Sequence, residues 1–451
     1  MSRPLGTHPS APVARRPPLA VLARAAVLAR AAVLARAAVL AWVAVLAVAA
    51  AVVAAPACAA SAPVRAVPPP GLSVTGASLT VAATGERLYG VDANKELLIA
   101  STTKLMTALV VLQHVHNLDT IFTAPDFVAA PVDSQIGLRP GERMSVHDLM
   151  LALLLPSADD AAYDLADNVG GGSVARFVGE MNADARALGL AQTHYENPIG
   201  LDSPENYSSP YDLTRLAAYL LARYPFFARS VRLTHATLTT GNYVRSVTNT
   251  DTLLGTEPWI TGVKTGHTEA AGYILVSSGT RDGLTLIASV LGTASEAARN
   301  ANALALLEYG FAAFHPVTAV RRAAVLARVP VTGEGRRAVV IAAGGWRDVL
   351  PRTDRVQLAL KLPRKLTGPL AAHVRVGTAT VLVDGRPRAT VALILGRAVP
   401  AEATLTKVAH LIGRPTTLGG LAVLIGVALT ALELRRRRPA SKEQGVKLEA
   451  R

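Results

Sequence analysis

The sequence predicts an α+β protein. Three observations carry this. The folded part opens on an alternating apolar hairpin, continues through a long run of helical patterns, and returns to alternating Val, Thr, Ile and Leu before a last helix. Such an order collects helices against an antiparallel sheet. At 451 residues there is room for two or three domains.

Residues 1–60 read as a signal peptide or N-terminal anchor. The unit Ala-Val-Leu-Ala-Arg-Ala recurs between Ala20 and Ala37, and an uncharged stretch runs from Ala37 to Ala55 into small residues. A basic, then apolar, then small-residue order is a targeting pattern. The apolar stretch exceeds the usual signal core, so an uncleaved anchor stays open. Cys58 is the single cysteine, which excludes an internal disulfide and a thiolate metal site. Residues 61–75 are a linker stiffened by Pro68, Pro69 and Pro70.

The main body is expected over residues 76–315. Ala77–Val91 alternates around Ala83-Thr84-Gly85-Glu86, a hairpin signal. Leu105–Val115 is an apolar helix. Ser145 caps a second, Leu149–Leu155, and Pro156-Ser157-Ala158-Asp159-Asp160 separates it from a third, Ala161–Val169. Phe177–Leu188 and Asp212–Arg223 continue the helical series, with the turn-rich Asn197–Asp202 between them. Leu233–Val247 and Ile274–Leu291 read as strands, and Asn300–Phe314 closes the body as a helix. The glycines of Thr261–Thr268 allow a ligand close to the backbone.

Residues 316–400 break into short apolar runs split by Gly, Pro and Arg, which predicts a small all-β domain with Pro387 in a turn. Residues 401–415 form a linker. Thr416–Leu434 holds one acid, Glu433, and precedes Arg435–Arg438; this predicts a transmembrane helix with a basic cytoplasmic tail, 435–451. The net charge of +14 is read as sitting largely in arginine-rich flanks of apolar segments, as topology rather than nucleic-acid binding.

Ser101 and Lys104 stand three apart at the mouth of the first apolar helix. On a helix these positions share a face. A hydroxyl, an amine and the free N–H groups of a helix start together make a serine acyl-transfer site. No His-Glu-x-x-His or comparable ligand pair points to a metallopeptidase.

Three pieces follow in order: Ser101-Thr102-Thr103-Lys104, Ser157-Ala158-Asp159 and Lys264-Thr265-Gly266. With Gly137–Glu142, Asn197–Asp202 and the neighbours of each piece, the stretch from Leu79 to Phe314 resembles the DacA-like, low-molecular-mass, penicillin-binding serine D-alanyl-D-alanine carboxypeptidases. The resemblance implies a penicillin-binding/β-lactamase-like catalytic domain, an antiparallel sheet with a helical cluster, followed by a small β domain and a membrane anchor. It implies no cofactor and no metal. It implies peptidoglycan stem peptides as substrate, β-lactams as covalent inhibitors, and a place on the outer side of a bacterial cell membrane.

By the same resemblance Ser101 is the nucleophile, Lys104 its base and Ser157 a proton relay. Lys264 and Thr265 would hold the substrate carboxylate, with Arg299 near its end. Gly266 and His267 would line the cleft, and the backbone N–H groups of Ser101 and His267 would form the oxyanion hole. Asp159 departs from the family's usual asparagine. A carboxylate only accepts hydrogen bonds where an amide also donates, and beside Lys104 it favours the ammonium. Two readings stay open: slower or pH-shifted turnover, or a carboxylate that keeps the turn. A penicillin-binding protein impaired in turnover is the alternative function. A class A β-lactamase lacks support, because no Glu-x-x-Leu-Asn precedes Lys264.

Overall fold

The structure, a computed structural model, describes residues 66–128, 134–401 and 415–436. The expected signal segment, Cys58 and the basic tail beyond residue 436 lie outside the described residues.

A five-stranded antiparallel sheet forms the centre. Its strands are β1 (Gly76–Val81), β2 (Arg87–Val91), β3 (Ile260–Thr268), β4 (Gly272–Arg281) and β5 (Leu284–Thr293), in the order β2-β1-β5-β4-β3. Side chains alternate across a strand. Ile274 and Val276 of β4, with Ile287 and Leu291 of β5, therefore join one core, and Leu275, Leu286, Ala288 and Val290 join the other. With both faces covered, these strands read as near-continuous apolar runs.

The first core holds the helical cluster: α1 (Lys104–His114), α2 (Val146–Leu154), α3 (Asp159–Val169), α4 (Val174–Ala187), α5 (Pro210–Arg223) and α6 (Pro225–Ser230). α1 runs through its middle, with every residue from Lys104 to Leu112 buried. Its apolar character on all sides fits that position. The second core is closed by α7 (Glu296–Ala313) through Leu306, Leu307 and Phe311. Ser145, Ser173, Ser209 and Ser295 each accept a first-turn N–H of a helix, which fixes where α2, α4, α5 and α7 begin.

Several expected elements move. Leu233–Val247 is not one strand but a small hairpin, His235–Leu238 with Arg245–Thr248. The Thr261–Thr268 stretch is a strand, β3, whose ladder with β4 overrides its glycines. α7 starts four residues before Asn300, because Ser295 caps it.

After α7 the chain enters β6 (Phe314–Val320), β7 (Val325–Val331), β8 (Glu334–Ala342), β9 (Trp346–Pro351), β10 (Val356–Lys361), β11 (Arg375–Val383) and β12 (Arg386–Leu395). β6 pairs with β9, and the others form a sheet in the order β7-β8-β12-β11-β10. Pro387 lies inside β12, opposite Leu382, rather than in the turn expected for it. The Asp384-Gly385 pair makes that turn, both with positive φ. A final helix, α8 (Pro415–Arg436), covers the expected span, with Val423, Leu424, Val427 and Leu429 largely exposed. Among the described residues no helix is long and apolar enough to cross a membrane.

Candidate active site

Ser101 lies in a 3₁₀ turn, Ala100–Thr103, immediately before α1. No side chain caps this turn. Two glycines shape it instead. Gly200, at φ +98°, presses on the Ala100 carbonyl and the Ser101 nitrogen so closely that a Cβ there would collide with backbone. A Cβ on Gly266 of β3 would stand 3.2 Å from the Ser101 nitrogen. The nucleophile turn is thus gripped between the 197–202 loop and the edge strand. Ala100 is held at φ +44°, a region that costs an L-residue energy and persists only under such constraint.

Lys104, fully buried, reaches back from the first turn of α1. Its Nζ donates to Ser101 Oγ at 2.9 Å, to Asp159 Oδ1 at 2.5 Å and to the Ile199 carbonyl at 2.6 Å. Three acceptors thus lie within hydrogen-bond reach of this one nitrogen.

Asp159 opens α3 and spends its two oxygens on different partners. Oδ1 takes Lys104, and Oδ2 accepts the Ser134 N–H at 3.2 Å, while the Asp159 N–H returns to the Ser134 carbonyl at 2.7 Å. Asp160 continues the clamp by accepting from the N–H groups of Ile136, Gly137 and Leu138. An acceptor-only side chain suits two donors, so the turn-keeping role and the contact with Lys104 belong to the same carboxylate. Ser157 sits at φ +68° between α2 and α3, its Oγ buried with no hydrogen-bond partner among the described residues.

Lys264, on β3, is also buried, and its Nζ donates to the Thr265 carbonyl at 3.1 Å. Burial pushes its proton affinity well below the usual lysine range, and the charges of Lys104 and Arg299 push the same way; Asp159 and Asp251 oppose them. Thr265 shares a 2.5 Å hydrogen bond with Thr250. His267 is exposed, and its ring lies on Tyr273 with centroids 3.9 Å apart. Arg299 is buried, bonded to Glu296 and Asn300, and close enough to Asp251 and Lys264 to act on both.

The structure therefore joins Ser101, Lys104 and Asp159 directly, sets Gly266 against Ser101, and brings Lys264 within electrostatic reach of Lys104. Thr265 bonds instead to Thr250, His267 stacks on Tyr273, and Arg299 bonds to Glu296 and Asn300.

Sequence reasoning assigned no role to Asn197, yet its Oδ1 accepts from the N–H groups of Ile199, Gly200 and Leu201 and so aims the Ile199 carbonyl at Lys104. Asn before Pro-Ile-Gly is a turn former, a signal that was available. Asp251 was also missed. Burial raises its carboxyl to about 6, against a Leu253 N–H and the charges of Arg299 and Lys264. No local pattern marks it, because its partners come from other elements.

A serine bonded to a buried lysine, under an edge strand carrying a second buried lysine, defines an acyl-transferring serine enzyme of the penicillin-binding fold. The family model for D-alanyl-D-alanine carboxypeptidase matches residues 64–295. The D-alanyl-D-alanine carboxypeptidase of Streptomyces sp. strain K15 is 37% identical over 267 residues, covering 56% of this chain and 92% of the relative. The crystal structure of the Streptomyces K15 DD-transpeptidase aligns at 37% identity with a TM-score of 0.52, over 55% of this chain and 100% of that one. Penicillin binding protein 5 from Haemophilus influenzae aligns at 27% identity with a TM-score of 0.59, over 74% of this chain and 99% of that one. The chain belongs to the serine-type D-alanyl-D-alanine carboxypeptidase family.

Proposed function

We propose that the protein removes the terminal D-alanine from peptidoglycan stem peptides through an acyl-enzyme on Ser101. The observation that carries this is the 2.9 Å bond between Ser101 Oγ and Lys104 Nζ beneath β3. Once Lys104 has lost a proton, it takes the hydroxyl proton as Oγ attacks the carbonyl carbon of the D-alanyl-D-alanine bond. The proton passes by Ser157 Oγ to the amine of the leaving D-alanine. Water then attacks the ester, releases the shortened peptide and restores Ser101. The proximity of β3 at Gly266 supports an oxyanion hole built from the Ser101 and His267 N–H groups, where each donor is typically worth about 10²–10³ in rate. Arg299, with Lys264 when protonated, supplies positive charge for the substrate carboxylate, and the Thr265 hydroxyl donates a hydrogen bond to it. β-Lactams would acylate the same oxygen. α8, with its apolar residues exposed and basic residues after it in the sequence, would attach the chain to a bacterial membrane surface without crossing it, with the catalytic body outside the cytoplasm.

A second reading has its own observation, the 2.5 Å contact of Lys104 with Asp159, an opposite charge that favours the ammonium over the free amine. It describes a protein that binds wall peptides or keeps its acyl group without turning over. One paired assay separates the two. The detergent-solubilised full chain is given a diacyl-lysine peptide ending in D-alanyl-D-alanine, and fluorescent penicillin in parallel, with Ser101→Ala beside it. Release of D-alanine with labelling, both lost in the variant, is the expected result. Labelling without release selects the second reading, and neither signal from folded protein sinks both.

A further inference from the structure

Charge is divided unevenly along the chain. Residues 76–315 carry fifteen Lys and Arg against twenty-four Asp and Glu, whereas residues 316–400 carry fifteen against four. The positive balance thus lies heavily in the β segment as well as beside the apolar stretches, which corrects the reading from sequence. All fifteen of its bases are exposed. Among the described residues only Arg388 meets a carboxylate, Glu86 and Asp348, each at 3.7 Å.

Five of these bases gather at one end of the β7–β12 sheet. The turn after β7 is stitched to residues 364–368: Leu366 N–H donates to the Pro330 carbonyl at 2.9 Å, and Thr332 N–H donates to the Leu366 carbonyl at 2.8 Å. Thr332 and Thr367 share a hydroxyl contact of 3.2 Å. Gly368 lies so near Pro400 that a Cβ would strike the Pro400 carbonyl, and Leu370 exchanges two 2.9 Å backbone bonds with Val399. Gly396 N–H donates to the Val339 carbonyl of β8. Arg336, Arg337, Arg364, Lys365 and Arg397 therefore surround the point where the chain leaves for α8, with Glu334 the one acid at that turn. Residues 401–414 separate this end from Pro415, so the two stand no more than about 50 Å apart at full extension.

We infer that this basic end docks on anionic phospholipid headgroups and holds the β segment against the membrane surface to which α8 attaches. The inference rests on the anchoring reading above. A net positive cluster tethered beside a membrane helix is drawn to an anionic leaflet within a Debye length, by about fivefold in affinity for each basic residue. A body that carries an acidic excess is repelled from the same surface. The two charge balances would turn the catalytic body away from the lipid and toward the wall.

The test reconstitutes the full chain in vesicles of phosphatidylcholine alone and of phosphatidylcholine with about one-third phosphatidylglycerol, on the scale at which surface charge attracts basic clusters. Amide exchange is followed in peptides covering 330–338 and 362–368. Slowing of about fivefold or more on the anionic vesicles only, relieved by high salt and by R336E/R337E/R364E/K365E, is the expected result. Penicillin labelling checks that this variant is folded, since none of the four residues touches the site. Equal exchange on both vesicle types, or protection by soluble poly(glycerol phosphate) with none by vesicles, overturns the docking. Flotation of the variant at high salt reports α8 separately: failure to float with both vesicle types rejects the anchor, while the exchange contrast of the parent chain between the two vesicle types still decides the docking.

Discussion

At the scale of single residues, Asp159 is the position where two requirements meet. Its carboxylate accepts from Lys104 on one oxygen and from Ser134 on the other. Asp159→Asn keeps one acceptor and sets an amide N–H against the other donor. Acylation by penicillin should then become faster at neutral pH, by about tenfold, with the limb of its pH profile moved to lower pH, because Lys104 is no longer held as a cation by an opposite charge. The same change should cost about 1–3 kcal/mol of stability through the orphaned Ser134 N–H, read by thermal unfolding. An unchanged pH profile would remove Asp159 from the chemistry and leave it to the turn.

Asp164 tests burial by itself. Burial raises its carboxyl to about 7, and Asp167, Asp160 and Glu142 add to the rise. One oxygen accepts from Asn168 at 2.6 Å, and the other has no partner among the described residues. In the unfolded chain the group ionises near its ordinary value of 3.8. Between these values the unfolded state holds fewer protons than the folded one, so stability falls as pH rises through this window. Asp164→Asn should gain on the parent protein between pH 4 and pH 7, by up to about 4 kcal/mol at the upper end, and hold a constant difference above it. Calorimetric melting across that range reads the gap.

At the scale of elements, the nucleophile turn is made by neighbours rather than by its own sequence. Gly200→Ala should cost about 2–4 kcal/mol and abolish labelling of Ser101, because no side chain fits at φ +98° against the Ala100 carbonyl. A Gly85→Ala control, at positive φ but with nothing near its Cβ, should keep the label. The contrast explains what the sequence disclosed. The cap at Ser145 was legible, but Ser173, Ser209 and Ser295 cap helices whose starts were read two to four residues late. The sheet was legible where Val, Ile and Leu run on, as in β4 and β5. The Ser101–Lys104 pair was legible because both members sit in one turn. The Lys104–Asp159 contact was expected only through the family resemblance, and the Lys104–Ile199 and Asp159–Ser134 bonds were not legible, because each joins distant stretches whose approach depends on the packed helices. β3 was hidden for a related reason: Gly262 and Gly266 weaken a strand pattern, and only the β4 ladder and the close approach to Ser101 explain them.

At the scale of the whole molecule, the catalytic body passes into the β segment without a loop, since β6 begins at the residue after α7 ends. The junction is braced by Arg352, which donates to the Ala313 and Phe311 carbonyls, and by Trp259, packed edge-on against Phe311 with Arg281 over its ring. The place of β1 in the central sheet has a further consequence, for the order in which the protein comes into being. β1 is among the first strands to be synthesised, and its partner β5 ends at Thr293, more than two hundred residues later. Pairings so remote in sequence form slowly, because a long loop must close before any contact rewards it. Ser101 and Lys104 leave the ribosome early and together, but Lys264 and the strand that shelters them arrive late. A nascent chain thus carries its nucleophile without a working site from Ser101 until Thr293 has been added, and the reactive serine becomes competent only when the last strand of the sheet is in place.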